Sequence, residues 1–382
     1  MRMLVLGAGL QGSACAYDLL QQLDVERVTL ADQSLDHLPR FLKGTKGKRL
    51  ALVKLNVKHA ASLRKLMRGH DAVMCALPYY FNFQVAAAAV HAGLHCADLG
   101  GKTEIVIQQR KKLHRTAAKQ GLSVIPDCGL APGMVNILAA EGIRRVGDAE
   151  SVKIYVGGLP QHPEPPLNYH IVYSLEGALD YYTTPSAILR DGKLTHMSAL
   201  SELEAVDFPA PVGRLEAFHT GGGISTMPLV WRGRIATMEY KTLRYPGHAA
   251  IMEAIRSLGL LSTKPVRVKG ADVVPRDAFI AVVSPGLTKP LARDLVALRV
   301  EVRGRNGRRV AWELIDFYDE TRGISAMERT TGYSLSITGQ MQVDGRIRAH
   351  GVHTPDEAVP FRAYVDELKR RGVEIRELFD ES

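Results

Sequence analysis

RMLVLGAGLQG, residues 2–12, is the stretch whose reading decides the fold. RMLVL reads as a short strand. GAGLQG then places glycines at 7, 9 and 12, and the SACAYDLLQQL that follows has the apolar spacing of a helix. Strand, glycine loop and helix in this order form the setting in which GxGxxG binds a dinucleotide. Gly7 makes the tight turn, Gly9 lets the main chain reach a pyrophosphate, and Gly12 lets helix and strand pack closely, with Ala8, Leu10 and Gln11 completing the loop. The helix N-terminus adds unpaired amides and a positive dipole for the phosphates.

The next strand, RVTLAD, ends at Asp32, twenty residues after Gly12, where a ribose-binding acid belongs. Its carboxylate accepts from both ribose hydroxyls and repels a 2'-phosphate. No lysine or arginine occurs in the few residues after Asp32, so NAD is expected rather than NADP. The alternation continues with a strand at 50–55, a helix at 59–68, a strand at 71–76, a helix at 82–92, a strand at 94–98, a helix at 104–119 and a strand at 121–125. Six strands with these crossovers make a doubly wound parallel sheet, the Rossmann arrangement. Loops after its strands face the cofactor, which puts Ala76, Leu77, Pro78 and Asp98 along the nicotinamide half of the cleft. Pro78 equally suits a helix stop.

The nucleotide domain is expected to end near residue 126. After it, PDCGLAPGMVNILAAEG brings Asp127 at a strand end and Pro132 near the first turn of a helix. From Ser151 the pattern turns strand-rich, in SVKIYVGG, VRVKG, LVALRVEVRG and RVAWELIDFYD. An antiparallel or mixed sheet with helices on one face is the expectation for an α+β domain over 127–328. RTTGYSLSITGQMQVDG and VPFRAYVDELKRRGVEI read as helices of a C-terminal segment, 329–382, that returns to the nucleotide domain. The proline-dense LPQHPEPPLNY between them and the first domain reads as an ordered or gating loop.

Bulk properties narrow the function. The 382 residues suffice for two domains, and 46% hydrophobic with 23% charged residues is the composition of a globular protein. A net charge of +9 would suit an acidic partner. The densest basic run, Arg40 to Arg68, has no nucleic-acid motif beside it and is read as a solvated loop and helix face, so no nucleic-acid partner is expected. No apolar run is long enough for a membrane helix, and the chain opens directly into a strand, so no membrane partner and a cytoplasmic location are the default. Cys15, Cys75, Cys96 and Cys128 are far apart and read as reduced, buried thiols. Without HxxxH, HExxH or clustered carboxylates, no metal is expected.

A second glycine loop, EAFHTGGGIST at 216–226, has no strand-to-helix context and no acid at ribose spacing after it. It reads as a substrate loop, where glycines let the main chain touch a small ligand. Taken together, GAGLQG, ALPYYFN, DLGG, PDCGLAPGM, GGLPQHPEPPLNY, SLEGALDYYT, EAFHTGGGIST and EYKTLRYPGH resemble the saccharopine dehydrogenase-like reductases, and among them the bacterial and archaeal lysine 6-dehydrogenases. The resemblance implies NAD-dependent oxidative deamination at the ε-carbon of L-lysine, giving the 6-semialdehyde, which cyclises to 1-piperideine-6-carboxylate, with release of ammonia. It also implies a subunit whose second domain binds substrate and oligomerises; pairing of exposed sheet makes a homodimer the expectation. The segment GKTEIVIQQRKK after DLGG departs from the family picture. Saccharopine or carboxynorspermidine chemistry and a non-catalytic NAD-sensing subunit are the competing readings.

Hydride leaves an amine-bearing carbon only when the nitrogen lone pair is free, yet a lysine side chain has a pKa of about 10.4. A base is therefore expected, from His170, His219, Lys241 and His248, with His219 and Lys241 as the catalytic candidates. The α-carboxylate calls for a guanidinium, which Arg244 supplies. Thr220 and Gly221 of the glycine loop, Tyr169 over the nicotinamide, Glu176 for the α-ammonium, and His248 complete the substrate candidates. In EYKTLRYPGH, strand alternation puts Tyr240, Thr242 and Arg244 on one face and Lys241, Leu243 and Tyr245 on the other, so Arg244 and Lys241 cannot both enter one pocket without a bulge.

Overall fold

In the computed structural model, which describes residues 1–43, 47, 49–171, 175–288 and 293–381, the first glycine loop joins a buried strand to a buried helix. The strands are β1 (Arg2–Leu6), β2 (Arg27–Asp32), β3 (Leu50–Lys54), β4 (Ala72–Cys75), β5 (His95–Asp98) and β6 (Ser123–Ile125). Next come β7 (Ala149–Pro160), β8 (Ser186–Arg190), β9 (Lys193–Met197), β10 (Glu204–Asp207), β11 (Arg214–His219) and β12 (Thr237–Arg244). The last are β13 (Val266–Val268), β14 (Ala271–Val273), β15 (Asp294–Gly304), β16 (Arg309–Phe317), β17 (Gly351–Val352) and β18 (Arg376–Glu381).

The N-terminal sheet runs β17-β6-β5-β4-β1-β2-β3 with every neighbour parallel. Six of these strands stand where the alternation of apolar runs predicts. The seventh, β17, comes from far down the chain and is too short to show in the sequence. It extends the sheet beyond β6 through Gly351 and Val352.

The second sheet is mixed. Its order is β10-β11-β12-β7-β15-β16-β18, with β8 on β12 and β9 on β8. The long β7 pairs parallel to β12 and antiparallel to β15, so it is the spine to which the rest attaches. Helix Met134–Val146 packs on β15, β16 and β7, and one hydrophobic core runs from the first sheet through the helices to the second. VRVKG is not part of this sheet: Val266–Val268 pairs only with β14 in an exposed hairpin, because its short run has no apolar face to bury.

The C-terminal segment divides. Helix Ala326–Val343 lies against helix Leu10–Gln21 and against β4 and β5. The crossing is close because Gly332 and Gly339 carry no side chain: a Cβ at Gly332 would come 2.7 Å from Ala14 Cβ, and one at Gly339 2.5 Å from Met74 Sδ. This explains the small residues in SACAYDLL, since the first helix is covered on both sides. Buried Asp18 ties the tail down, accepting from Ser336 Oγ at 2.6 Å and Arg371 Nε at 2.7 Å. Helix Phe361–Arg370 also packs on helix Met134–Val146, and the chain ends as β18 on β16, in the second sheet rather than the first. All four cysteines are buried and unpaired, and burial pushes the Cys75 thiol up to about 12. Among the described residues no helix is long and apolar enough to cross a membrane.

Candidate active site

At the nucleotide edge, the glycines adopt the close-packed geometry that their spacing predicts. Gly7 has φ +102°, and a Cβ there would meet the Ala76 carbonyl oxygen at 2.6 Å; one at Gly12 would meet the Gly7 oxygen at 1.9 Å. At Gly9 nothing lies within 4 Å, so this side of the loop is open to a ligand. The helix begins at Leu10 with extended Gly9 as its cap, and its first amides have no side-chain cap. Asp32 accepts from the Ala8 amide at 2.7 Å and the Ser34 amide at 3.2 Å, which fixes its carboxylate at the ribose edge of the loop. Ala76 and Leu77 flank Gly7, and Pro78 caps the turn Tyr79–Phe81 that follows. A bound pyridine dinucleotide fits this cradle.

Asp98 has a different role from the one its position suggests. It is buried, and its carboxylate accepts from Asn82 Nδ2 (3.0 Å), Gln109 Nε2 (2.9 Å) and the Gly100 amide (2.7 Å). It pins the loops that shape the cleft and leaves little of itself for a cofactor.

Among the described residues, an outer and an inner cavity lie between the sheets. The outer one, about 520 Å³, is walled by Tyr79 and Gly101 on one side and by Tyr181, Thr184, Gly221 and Ser225 on the other. The inner one, about 220 Å³, lies between Gln11, Leu99 and Gly129 and the strand residues Val156, Tyr240, Thr242 and Arg244. Tyr181 lines both. Among the described residues, Arg244 is the one charged residue lining the inner cavity. Gln11 faces it from the nucleotide loop, with both carboxamide atoms buried and without a hydrogen-bond partner.

Arg244 is held by aromatic rings. Its Nε donates to Tyr182 Oη at 3.0 Å and its Nη1 to the Leu243 carbonyl at 2.8 Å, while its guanidinium lies 4.8 Å from the Tyr169 ring centre. His248 belongs to this cluster, and both its ring nitrogens have partners there. Its Nε2 is 3.0 Å from Tyr182 Oη and its Nδ1 2.9 Å from the Leu167 carbonyl. Burial, then the Arg244 charge, push its pKa down to about 3, so it is neutral at working pH.

The two catalytic candidates stand on the far face of the sheet. His219 and Lys241 are direct partners in the β11–β12 register, so both project opposite to Tyr240, Thr242 and Arg244. Neither lines the inner or the outer cavity. Lys241 Nζ bonds Glu204 Oε1 and the Glu202 carbonyl, each at 2.8 Å, and His219 Nε2 lies 3.1 Å from Glu202 Oε2. Period-two alternation makes this placement a single choice for both. Glu202, His219 and Glu239 do bring three potential metal donors within 4.8 Å of one another. Arg190 Nη2 already sits between their carboxylates, 2.9 Å from Glu202 and 3.4 Å from Glu239, and Lys153 adds a second cation, so the cluster is a closed ion network.

The other candidates fall as follows. Thr220 is buried with its hydroxyl 2.7 Å from Thr242 Oγ1, and Gly221 lines the outer cavity, where a Cβ would strike Thr184 at 2.9 Å. Gly223 has a Cβ position only 2.3 Å from the Tyr240 ring, so the triple glycine lets that ring reach the inner cavity. Glu176 is exposed on the first turn of helix Leu175–Thr183, and His170 is buried; neither lines either cavity.

Sequence reasoning missed Tyr181, and it placed Tyr240 and Thr242 beside Arg244 without assigning them to the site. Tyr181 belongs to the quoted SLEGALDYYT, but helical spacing alone does not say which tyrosine faces the cleft. Asp127 was also passed over. It has φ +63°, both carboxylate oxygens are buried without a hydrogen-bond partner, and burial lifts its carboxyl to about 7, opposed by the nearby Ser225 hydroxyl.

Comparison with known proteins gives a consistent picture. Residues 3–125 match the family model for the saccharopine dehydrogenase NADP binding domain, and residues 129–373 that for the saccharopine dehydrogenase C-terminal domain. Mouse mitochondrial alpha-aminoadipic semialdehyde synthase is 24% identical over 97% of the chain and 47% of its own length, so the chain spans about half of that relative. The saccharopine dehydrogenase [NADP(+), L-glutamate-forming] of Saccharomyces cerevisiae is 23% identical over 98% of each chain. The apo structure of the L-Glu-forming yeast saccharopine dehydrogenase superposes with a TM-score of 0.78 at 21% identity, covering 98% of this chain and 99% of that one. Homospermidine synthase from Legionella pneumophila in complex with NAD gives 0.70 at 11% identity, covering 100% and 92%.

Proposed function

Since the chain belongs to the saccharopine dehydrogenase family of oxidoreductases, we propose that it catalyses NAD-dependent oxidative deamination of L-lysine at the ε-carbon. The inner cavity carries this reading. It is small for a ligand site, it lies between the nucleotide loop and the second sheet, and Arg244 offers a single positive charge, enough for one carboxylate. A bound nicotinamide would accept hydride from the ε-carbon. The resulting iminium takes up water and loses ammonia, leaving the 6-semialdehyde to cyclise.

In this scheme Arg244 binds the α-carboxylate, with Tyr169 and Tyr182 fixing its plane. Leu99, Leu130, Val156 and Met327 exclude water around the alkyl chain, and the Gln11 carboxamide gains a partner from bound ligand. Among the described residues no carboxylate lines the cavity, so nothing there offsets the charge of an ε-ammonium at the apolar end and the neutral ε-amine is favoured. Tyr181, its hydroxyl pushed up to about 12 by burial and then by Tyr240, stays protonated and donates. Asp32 favours NAD by repelling a 2'-phosphate, although the matching family model describes an NADP binding domain.

A second reading is saccharopine as substrate. The outer cavity favours it, because removal of the shared Tyr181 wall would join the two spaces and admit a longer molecule. Reduced-nicotinamide absorbance with L-lysine, saccharopine and ornithine, each with NAD and NADP, separates the readings. Turnover of lysine with NAD is expected; turnover of saccharopine alone would move the substrate, and silence with every amine would end the dehydrogenase reading.

A further inference from the structure

The nucleotide domain has a second concave surface, which runs from the start of β1 and β2 to the end of β3 beside Asp32. A groove of about 470 Å³ runs along β1, β2 and β3 beside helix Ala60–Met67. Arg2 and Arg27 open it: they are neighbours in the parallel β1–β2 register, so their side chains leave the same face side by side. Lys65 and Arg68 face them from the helix end, and Lys54 closes the far side. No aspartate or glutamate lines the groove, and none of these five cations has an ion-pair partner among the described residues. Asp71, the acid next to the rim, spends Oδ2 on the Arg2 main-chain amide at 2.6 Å. His70, bonded through Nε2 to Thr29 Oγ1 at 2.9 Å, has its pKa lowered by burial and then by Arg2 and Arg27, so it is a neutral group at the base.

Like charges in adjacent register positions repel, and a cluster without a counter-charge stays uncompensated until an anion binds. The floor is apolar, made by Ala51, Val53, Leu55 and Leu66. Cations around an apolar floor suit a molecule with both a phosphate chain and a flat ring. We propose that this groove is a binding site for a nucleoside polyphosphate, separate from the cofactor cleft. The phosphates engage Arg2, Arg27, Lys65 and Arg68, and the base lies on the floor. The groove and the inner cavity share no lining residue among the described residues.

Isothermal titration calorimetry of the full chain tests this, with ATP and with inorganic pyrophosphate, while NADH is held at saturation to fill the cleft. One molecule of ATP per chain is expected, bound more tightly than pyrophosphate because the floor contributes, and weakened by added salt. The double variant R27Q/R68Q should weaken ATP binding at least about tenfold, with turnover unchanged. The proposal fails if neither anion binds, if the double variant binds as well as the parent, or if NADH displaces ATP. Several chains binding per strand of a long single-stranded RNA, more tightly than ATP, would also overturn it and make the surface a nucleic-acid face.

Discussion

The two faces of β12 carry the same kinds of residue to opposite ends. Tyr240, Thr242 and Arg244 line the inner cavity, whereas Glu239 and Lys241 close an ion network with Arg190, Glu202, Glu204 and His219. Both faces are buried and both hold a cation. The difference is what each cation borders. Lys241 meets a carboxylate at 2.8 Å and lines neither cavity, while Arg244 meets a tyrosine hydroxyl, ring faces and a carbonyl and lines the inner cavity. A buried cation that lines a cavity can be reached by an anionic ligand; one held in an ion pair away from it is structural.

The largest effect should come from replacing Arg244. Arg244→Met is expected to lower kcat/KM for lysine by about 10²–10³-fold, mainly through KM, as expected for loss of a charge-assisted carboxylate contact. Steady-state kinetics with lysine and with cadaverine, which lacks the carboxylate, check this: the variant should lose its preference for lysine. Equal losses on both substrates would show Arg244 to be structural as well.

Gly223→Ala comes next. The added methyl would sit 2.3 Å from the Tyr240 ring and drive it into the inner cavity. Turnover should fall by about tenfold or more, with NADH binding by fluorescence unchanged. Gly12→Ala should do the reverse, abolishing NADH binding because its methyl would strike the Gly7 carbonyl at 1.9 Å.

The pH profile sharpens the contrast further. With no carboxylate lining the cavity among the described residues and His248 neutral down to about 3, kcat/KM for lysine should climb toward the amine pKa of about 10.4 without a histidine limb. A plateau from about pH 7 would instead require a base in the site. Stability should follow Asp127 with the opposite slope. Its folded pKa of about 7 lies above its unfolded value, so the folded state holds a proton that the unfolded chain has lost. That contribution is complete below the unfolded pKa and is lost as pH rises through 7. Asp127→Asn should therefore raise Tm by about 2–4 °C more at pH 8 than at pH 5, by calorimetry.

The smallest effect on activity is expected on the far face. His219→Gln should keep turnover within about twofold of the parent, and Lys241→Met should cost about 1–3 kcal/mol of stability by leaving Glu204 unpaired, while KM is unchanged. Loss of turnover in His219→Gln with intact folding would return that residue to the chemistry.

Much of the first domain was legible because its signals are local. Six strands, the glycine loop and Asp32 follow from apolar runs, φ-permissive glycines and spacing within some thirty residues. β17 and β18 were not, since a strand of two residues and a strand added to a distant sheet leave no periodic trace. The candidate site was half legible. Alternation already separated Arg244 from Lys241 on the page, and placed Arg244 with Tyr240 and Thr242. It could not tell which face of β12 meets the cleft, so His219 and Lys241 were expected where they are not.

The sequence by itself determined the dinucleotide cradle, the strand-rich second half and the family resemblance, because local backbone preference and side-chain period are written residue by residue. The tertiary structure alone decided which residues share a cavity. Glycines 332 and 339 let the last long helix press onto the first, and β7 joins β12 in parallel. That packing chooses the face of β12 turned to the nucleotide loop and brings Gln11 opposite Arg244. Such juxtapositions depend on contacts between residues hundreds of positions apart, which no local pattern encodes.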